Sequence, residues 1–187
     1  IKDPGDLIGA LVRRAGEPVI RNALRTAMRI MGGQFVLGRT IDEALKRAGE
    51  YLTSFDMLGE GARTDAQAQI YFEAYEKAID RIGREGVGKA AEHRHAISVK
   101  LSALYPRYEE MHSKGVQDVL YGRLLSLAKR AAGYDINFTV DAEEADRLSL
   151  SLDLIERILK EPELDGWDGF GLAVQAYQKR APHVIDY

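Results

Sequence analysis

The sequence of 187 residues contains no cysteine, which excludes disulfide bonds, thiolate catalysis and cysteine-ligated metal sites. Basic residues are not in excess either, because 26 lysines and arginines are balanced by 29 aspartates and glutamates, for a net charge of −3. Without a sustained basic face, the composition gives no indication of nucleic-acid binding. No uninterrupted apolar run approaches the roughly 20 residues of a membrane span, and no secretory signal opens the chain.

The hydrophobic fraction of 45% and the charged fraction of 29% are those of an ordinary globular chain that can bury a core. Its most informative stretch is I-N-F-T-V-D-A-E-E-A-D-R, residues 136–147. Apolar residues alternate there with smaller polar ones and predict a short β-strand ending at Asp141, and Asp141 with Glu144 resembles a helix capping box. A carboxylate at the carboxyl end of a strand lies where α/β enzymes place their chemistry.

Three further segments follow the same pattern, namely residues 51–58, 96–101 and 171–176. They carry Asp56, Lys100 and Gln175, and the strand pattern is weakest around Asp56. We therefore expect four strands that present these three side chains and Asp141 at comparable depth, close to one another.

Helical patterns separate and precede these strands. They cover residues 6–14, 18–33, 41–48 after a capping Thr40, a long segment after Thr64, and residues 115–132 and 143–159. The apolar stripe of residues 18–33 is interpreted as packing surface. We predict core sides that include Ile70 in the helix after Thr64, and Leu148, Leu152, Ile155 and Leu159 in the helix of residues 143–159.

Strands separated by helices of this length are βα units, so the sheet should be parallel. An open doubly wound sheet and part of a (βα)₈ barrel both fit. No G-x-G-x-x-G follows any of the strands, and polar residues at all the strand ends favour the barrel. The prediction is an α/β fold, the first half of a TIM-type (βα)₈ barrel over residues 50–187, preceded by a helical arm over residues 1–49.

Histidines give no metal site. His93 and His95 lie two residues apart, but no nearby carboxylate completes a coordination set, so we interpret them as part of a solvated loop. His112 and His183 stand alone and are predicted to be surface residues.

Four segments of the chain carry a family resemblance: F-D-M-L-G-E, S-V-K-L-S-A-L-Y-P-R-Y, V-D-A-E-E-A-D-R and V-Q-A-Y-Q-K-R. They resemble, in order, the proline dehydrogenase domain of bacterial proline utilization A, a bifunctional flavoenzyme, from about Gly16 to Tyr187. The resemblance implies a barrel that binds FAD, oxidises L-proline to 1-pyrroline-5-carboxylate and passes electrons to a membrane quinone. It also implies a cytoplasmic protein, peripheral at the inner membrane, with an aldehyde dehydrogenase domain on the same chain.

The resemblance further assigns roles to residues. Lys100 would pair with the substrate carboxylate, and Asp141 would lie in the active site beside proline and flavin. The flavin would be contacted by Ala142 and Gln175, and the charged network around the substrate would include Asp56 and Glu60. The chain ends before the family's later barrel strands and its paired arginines, and it begins with Ile1, so we expect it to be part of a longer protein.

The residues alone leave other interpretations open. Asp141 can be a helix cap without chemistry, and Lys100 can be the partner of a surface carboxylate. A strand-end lysine near an aspartate also suits a Schiff-base aldolase or lyase, in which a desolvated amine attacks a carbonyl. In a non-catalytic role, the protein would be an interaction module whose arm packs against another domain or subunit.

Overall fold

The computed structural model describes residues 16–142 and 145–187. The chain divides into two units, Ile1–Gly49 and Glu50–Tyr187. In the first unit, helix α1 spans Glu17–Phe35 and helix α2 spans Ile41–Ala48. Thr40 caps α2 as predicted, because its hydroxyl accepts a hydrogen bond from the Glu43 N–H at 3.2 Å. The helix predicted for residues 6–14 lies outside the described residues.

The second unit contains a parallel sheet of four strands, in the order β1-β2-β3-β4. The strands are β1 Ser54–Asp56, β2 Ala96–Lys100, β3 Phe138–Asp141 and β4 Phe170–Ala173. The strand order follows the chain order, as in consecutive units of a (βα)₈ barrel, whereas a doubly wound sheet reverses direction at a switch point. The predicted α/β class with a parallel sheet is confirmed.

Helices of the second unit connect these strands. They are α3 Asp65–Gly86, α4 Leu101–Leu104, α5 Tyr121–Gly133, α6 Leu148–Leu159 and α7 Ala181–Asp186. A turn of helix at Ser113–Gly115 and a π-helical turn at Val116–Leu120 lead into α5. None of the helices in the described residues is long and apolar enough to cross a membrane.

The sheet has two different faces, because successive side chains of a strand point to opposite sides. One face is apolar and includes Phe55, Ile97, Val99, Phe138 and Val140, all buried. The opposite face carries small or polar residues: Asp56, Ser98, Lys100, Thr139, Asp141, Gly171 and Ala173. In a barrel, the apolar face lies against the outer helices and the polar face lines the interior.

Buried residues of α3, α5 and α6 supply the rest of this core. They are Ala68, Tyr75, Ala78, Ile79 and Ile82 in α3, Leu124, Leu127, Ala128 and Ala131 in α5, and Leu150, Leu154, Ile155 and Ile158 in α6. Each fully buried leucine or isoleucine contributes about 2 kcal/mol to folding. The core sides predicted from sequence were partly wrong, since Ile70 and Leu159 are exposed and Leu148 and Leu152 are only half-buried. Leucines lie on several sides of α6, so the spacing alone allowed more than one stripe.

His95 corrects another sequence interpretation. It is buried, and its Nδ1 accepts a hydrogen bond from the Thr53 N–H at 3.2 Å, beside the ring of Phe55. Burial lowers the pKa of this imidazole, and the nearby Lys89 lowers it further while Glu85 opposes the change. His95 is therefore an internal support of the start of β2 and not part of a solvated loop.

Candidate functional site

An ion pair between neighbouring strand ends forms the centre of the candidate site. Lys100 is the last residue of β2 and Asp141 the last of β3, and the two are register partners. The Nζ of Lys100 lies 2.7 Å from Oδ2 of Asp141, and the side chains are 8% and 16% exposed. A buried ammonium needs such a partner, because an unpaired charge away from water is strongly unfavourable.

Two more carboxylates approach the same ammonium from the first strand and the loop after it. Asp56 Oδ2 lies 3.4 Å from Lys100 Nζ, and Glu60 Oε2 lies 4.0 Å away. Their side chains are 45% and 60% exposed, so the cluster opens to solvent on this side. Within the described part of the chain, one cation among three carboxylates leaves an excess of negative charge facing the opening.

The predicted equal depth of the four strand-end residues was partly wrong. Asp56 is in register with Ser98, two positions before Lys100. The strand β4 ends at Ala173, and Gln175 lies beyond it, where its carbonyl accepts a hydrogen bond from the Gln178 N–H at 3.0 Å and starts a turn. Asp56 nevertheless reaches the cluster through its side chain.

The hydroxyl of Tyr75 supports the backbone of the cluster from below. It accepts a hydrogen bond from the Lys100 N–H at 3.3 Å, and Tyr75 is almost completely buried in α3. Burial raises the pKa of Tyr75 to about 12, so the phenol is neutral near pH 7. Nothing in the sequence around Tyr75 indicates this hydrogen bond, which joins residues 25 positions apart.

Ser102, in the short helix α4, contacts the loop that carries Glu60. Its buried hydroxyl accepts a hydrogen bond from the Gly61 N–H at 3.3 Å, and its carbonyl accepts one from the Ala62 N–H at 2.9 Å. The sequence contains this serine inside a family-like segment, but the segment does not indicate what it touches.

Ala142 and Gln175 line one cleft beside the cluster. The cleft is small and is otherwise lined by Leu148, Leu172, Ala173, Val174, Gln178, Ala181 and Val184. Its walls are apolar except for the side-chain amides of Gln175 and Gln178.

The described residues contain no group of three or more histidine and acidic side chains arranged to hold a metal ion. The three carboxylates that do converge surround the ammonium of Lys100 instead.

A family model for proline dehydrogenase matches residues 39–187. The chain belongs to the proline dehydrogenase family. Among curated relatives, the bifunctional protein PutA of Escherichia coli strain K12 and that of Klebsiella aerogenes are each 49% identical over 185 residues, which is 96% of this chain and 14% of the relative. The PutA of Rhizobium meliloti is 47% identical over 182 residues. The chain thus spans only a small part of the length of these proline dehydrogenase relatives.

Solved structures agree with this assignment to the proline dehydrogenase family. Proline utilization A of Bradyrhizobium japonicum is 58% identical, with a TM-score of 0.78 over 96% of this chain and 19% of that one. The protein from Bdellovibrio bacteriovorus is 21% identical with a TM-score of 0.80 over 99% of this chain and 21% of that one, and it supports the fold alone.

Proposed function

We propose that this chain is part of an FAD-dependent proline dehydrogenase that oxidises L-proline to 1-pyrroline-5-carboxylate. The observation that carries the proposal is the buried Lys100–Asp141 pair at two strand ends, flanked by Asp56 and Glu60, in a member of this family. This arrangement places one cation and several carboxylates where a small zwitterion can be bound and oriented.

The reaction removes a hydride from the ring carbon next to nitrogen and a proton from the nitrogen, and a carbon–nitrogen double bond forms. FAD, when bound, supplies the acceptor for the hydride. In our proposal Lys100 binds the proline carboxylate, although an ammonium fixes orientation less strictly than a guanidinium. Asp141 orients Lys100, and Asp56 and Glu60 provide negative charge that stabilises the cationic nitrogen of the substrate.

In our proposal, two residues at the ends of β3 and β4 contact the flavin ring. Gln175 has an amide that can hydrogen-bond the polar edge of the ring, and Ala142 can offer apolar contact. Among the described residues, no lysine or arginine lines this cleft, so the contacts we propose for Ala142 and Gln175 are with the ring and not with the diphosphate.

The remaining parts of the proposal concern the whole protein. We infer that electrons pass to a membrane quinone, that the protein is cytoplasmic and peripheral at the inner membrane, and that an aldehyde dehydrogenase domain shares its chain. The relatives from Klebsiella aerogenes and Escherichia coli are bifunctional proteins by name, which supports a second activity for those proteins. We also propose residues 1–49 as a helical arm and residues 50–187 as the first part of the barrel.

The first experiment is a visible absorption spectrum of the flavin-loaded protein before and after L-proline is added without oxygen. We expect the flavin band to bleach. Lys100→Met should keep the flavin band but lower the rate of proline-dependent bleaching at least about a hundredfold, because a buried charged contact to the substrate is lost. Lys129→Met, which removes an exposed lysine paired with Glu163, is the matched control and should bleach normally.

A flavin band that proline does not bleach would exclude the proposal. A Schiff-base lyase is the alternative from another class, and borohydride in the presence of a carbonyl substrate would then attach that substrate to Lys100. The three carboxylates around Lys100 favour its charged ammonium and so disfavour this role.

A further inference from the structure

We propose that Ser102 is a positioning residue that holds the Glu60 loop, residues 57–63, in place beside Lys100, and thereby sets how efficiently the site takes its substrate. The inference rests on the proposed function of Lys100 and Glu60 in binding proline. Ser102 affects the site only indirectly, through this loop.

Two hydrogen bonds from consecutive residues tie the Glu60 loop to Ser102. The Gly61 N–H donates to the Ser102 hydroxyl at 3.3 Å, and the Ala62 N–H donates to the Ser102 carbonyl at 2.9 Å. Gly61 has a positive φ of 58°, a conformation that favours glycine, so the loop has a defined shape at this tie. The residue immediately before it is Glu60.

The other end of the loop is also fixed. Gly59 packs against the ring of Tyr71, where an added Cβ would lie 2.8 Å from a ring carbon. The Tyr71 hydroxyl accepts a hydrogen bond from Gln67 Nε2 at 3.0 Å, and Gln67 Oε1 accepts one from the Arg63 N–H at 2.9 Å. Glu60 is therefore held between two anchored segments while its own side chain stays exposed.

The support beneath Ser102 is rigid as well. The helix α4 that contains it is buried throughout, and the Leu104 carbonyl at its end accepts a hydrogen bond from Arg123 Nη1 at 2.6 Å. Since α4 begins directly after Lys100, Lys100 and the Glu60 loop are both attached to one rigid segment. This attachment explains how an exposed loop carboxylate keeps its place 4.0 Å from a buried ammonium.

Removing the Ser102 hydroxyl should loosen the loop without altering the cluster itself. In Ser102→Ala the Gly61 N–H loses its acceptor, and Glu60 samples positions away from Lys100. We expect kcat/KM for proline to fall about tenfold, chiefly through KM, because a misplaced binding group costs productive geometry. Ser102→Thr retains the hydroxyl and should restore most of the loss.

A double-mutant cycle in the flavin-loaded protein tests whether Ser102 acts through Glu60. Ser102→Ala should lower kcat/KM in the wild-type background but have little further effect in Glu60→Gln. Hydrogen exchange gives a readout independent of activity, since residues 57–63 should exchange at least about tenfold faster in Ser102→Ala. Ser151→Ala is the matched control: Ser151 is also buried and donates to the Leu148 carbonyl at 2.7 Å, away from the loop.

Each outcome decides the proposal. Unchanged exchange in the loop, unchanged kcat/KM, or equal losses in the wild-type and Glu60→Gln backgrounds would each overturn it. If the wild-type flavin fails to bleach with proline, the proposed function fails, and with it the role of Ser102 in taking substrate. Faster exchange in Ser102→Ala would then still establish the loop tether by itself.

Discussion

Several residues around Lys100 together hold its ammonium group in place. Asp141 neutralises it within the buried region, and Asp56 and Glu60 face the opening. Tyr75 fixes the backbone from which the lysine projects. The side chain of Lys100, which has four rotatable bonds, is thus restrained at its backbone and at its ammonium group. This restraint lowers the conformational entropy lost when a ligand binds.

The Tyr75 hydroxyl gives a stability prediction with a defined pH dependence. Tyr75→Phe removes the hydrogen bond that the buried Lys100 N–H donates to Tyr75 and should lower the free energy of unfolding by about 1–2 kcal/mol near pH 7. The folded-state pKa of Tyr75 is raised from 10.0 to about 12. Its contribution is therefore fully present below the unfolded-state pKa and is lost as the pH rises through the folded-state value.

Urea unfolding at several pH values checks this prediction. Between about pH 9 and about pH 11, the difference in unfolding free energy between wild type and Tyr75→Phe should narrow by about 1 kcal/mol. Tyr177→Phe is the control, since that side chain is 76% exposed and should show no such trend. A difference that stays constant with pH would contradict the neutral buried phenol.

At the scale of elements, helices α3 and α5 are joined by a close approach and by an ion pair. An added Cβ on Gly83 of α3 would lie 2.1 Å from a ring carbon of Tyr134, the residue after α5. Arg130 of α5 donates to both carboxylate oxygens of Asp80, at 2.8 and 3.0 Å, and to Glu76 at 2.8 Å. The glycine lets the helices meet, and the arginine fixes their register.

Two glycine substitutions should change the free energy of unfolding in opposite directions. Gly83→Ala should lower the free energy of unfolding by about 1–3 kcal/mol, because the methyl group collides with the Tyr134 ring and separates the helices. Gly122→Ala in α5, where nothing lies within 4 Å of the added Cβ, should raise it by up to about 1 kcal/mol through helix propensity. Thermal and urea unfolding measure both, and stabilisation by Gly83→Ala would show that the contact is not rigid.

Elements with local signals could be predicted from sequence, and those set by distant contacts could not. Thr40 and Thr64 cap their helices as expected, because a cap is encoded within a few residues. The helix predicted over residues 115–132 is interrupted by a π-helical turn, where Gly115 meets the hydroxyl of Tyr105 from an earlier loop. The residues at which β1 and β4 end depend on the strands with which they pair, and the sequences of β1 and β4 do not indicate those partners.

The residues of the candidate site also divide into those with local sequence signals and those placed by distant contacts. Lys100 and Asp141 could be found because each ends a recognisable strand, and parallel pairing brings such ends together. Asp56 was named from the weakest of the four strand patterns, and Glu60 was named through the resemblance. Ser102 was not predicted, since its partners lie about 40 positions away and its own neighbours give no signal of them.

At the scale of the whole molecule, the strands in the described residues form a sheet with two open edges. Among the described strands, β1 and β4 each pair on one side only. Unpaired N–H and C=O groups along an edge readily pair with another chain. On the polar side of the sheet, Asp56 is exposed and the other residues are only partly buried, apart from Lys100.

We therefore expect the 187-residue chain, expressed by itself, to associate with itself. Sedimentation velocity over a concentration series should show a weight-average mass that rises well above 20.8 kDa. Strand pairing at the edges is the physical reason, and charged substitutions on an exposed edge should reduce the association. A monodisperse monomer across the series would contradict this expectation.

The alternation of the two sheet faces also bears on how such a protein can diverge. Along β2, changes at Ile97 and Val99 should reduce the amount of folded protein, whereas changes at Ser98, on the polar face, should leave its abundance largely intact. Neighbouring codons in one short strand would thus be under different selective pressures. Descendants of this sequence can acquire new chemistry on one side of the sheet while they inherit the packing of the other side unchanged.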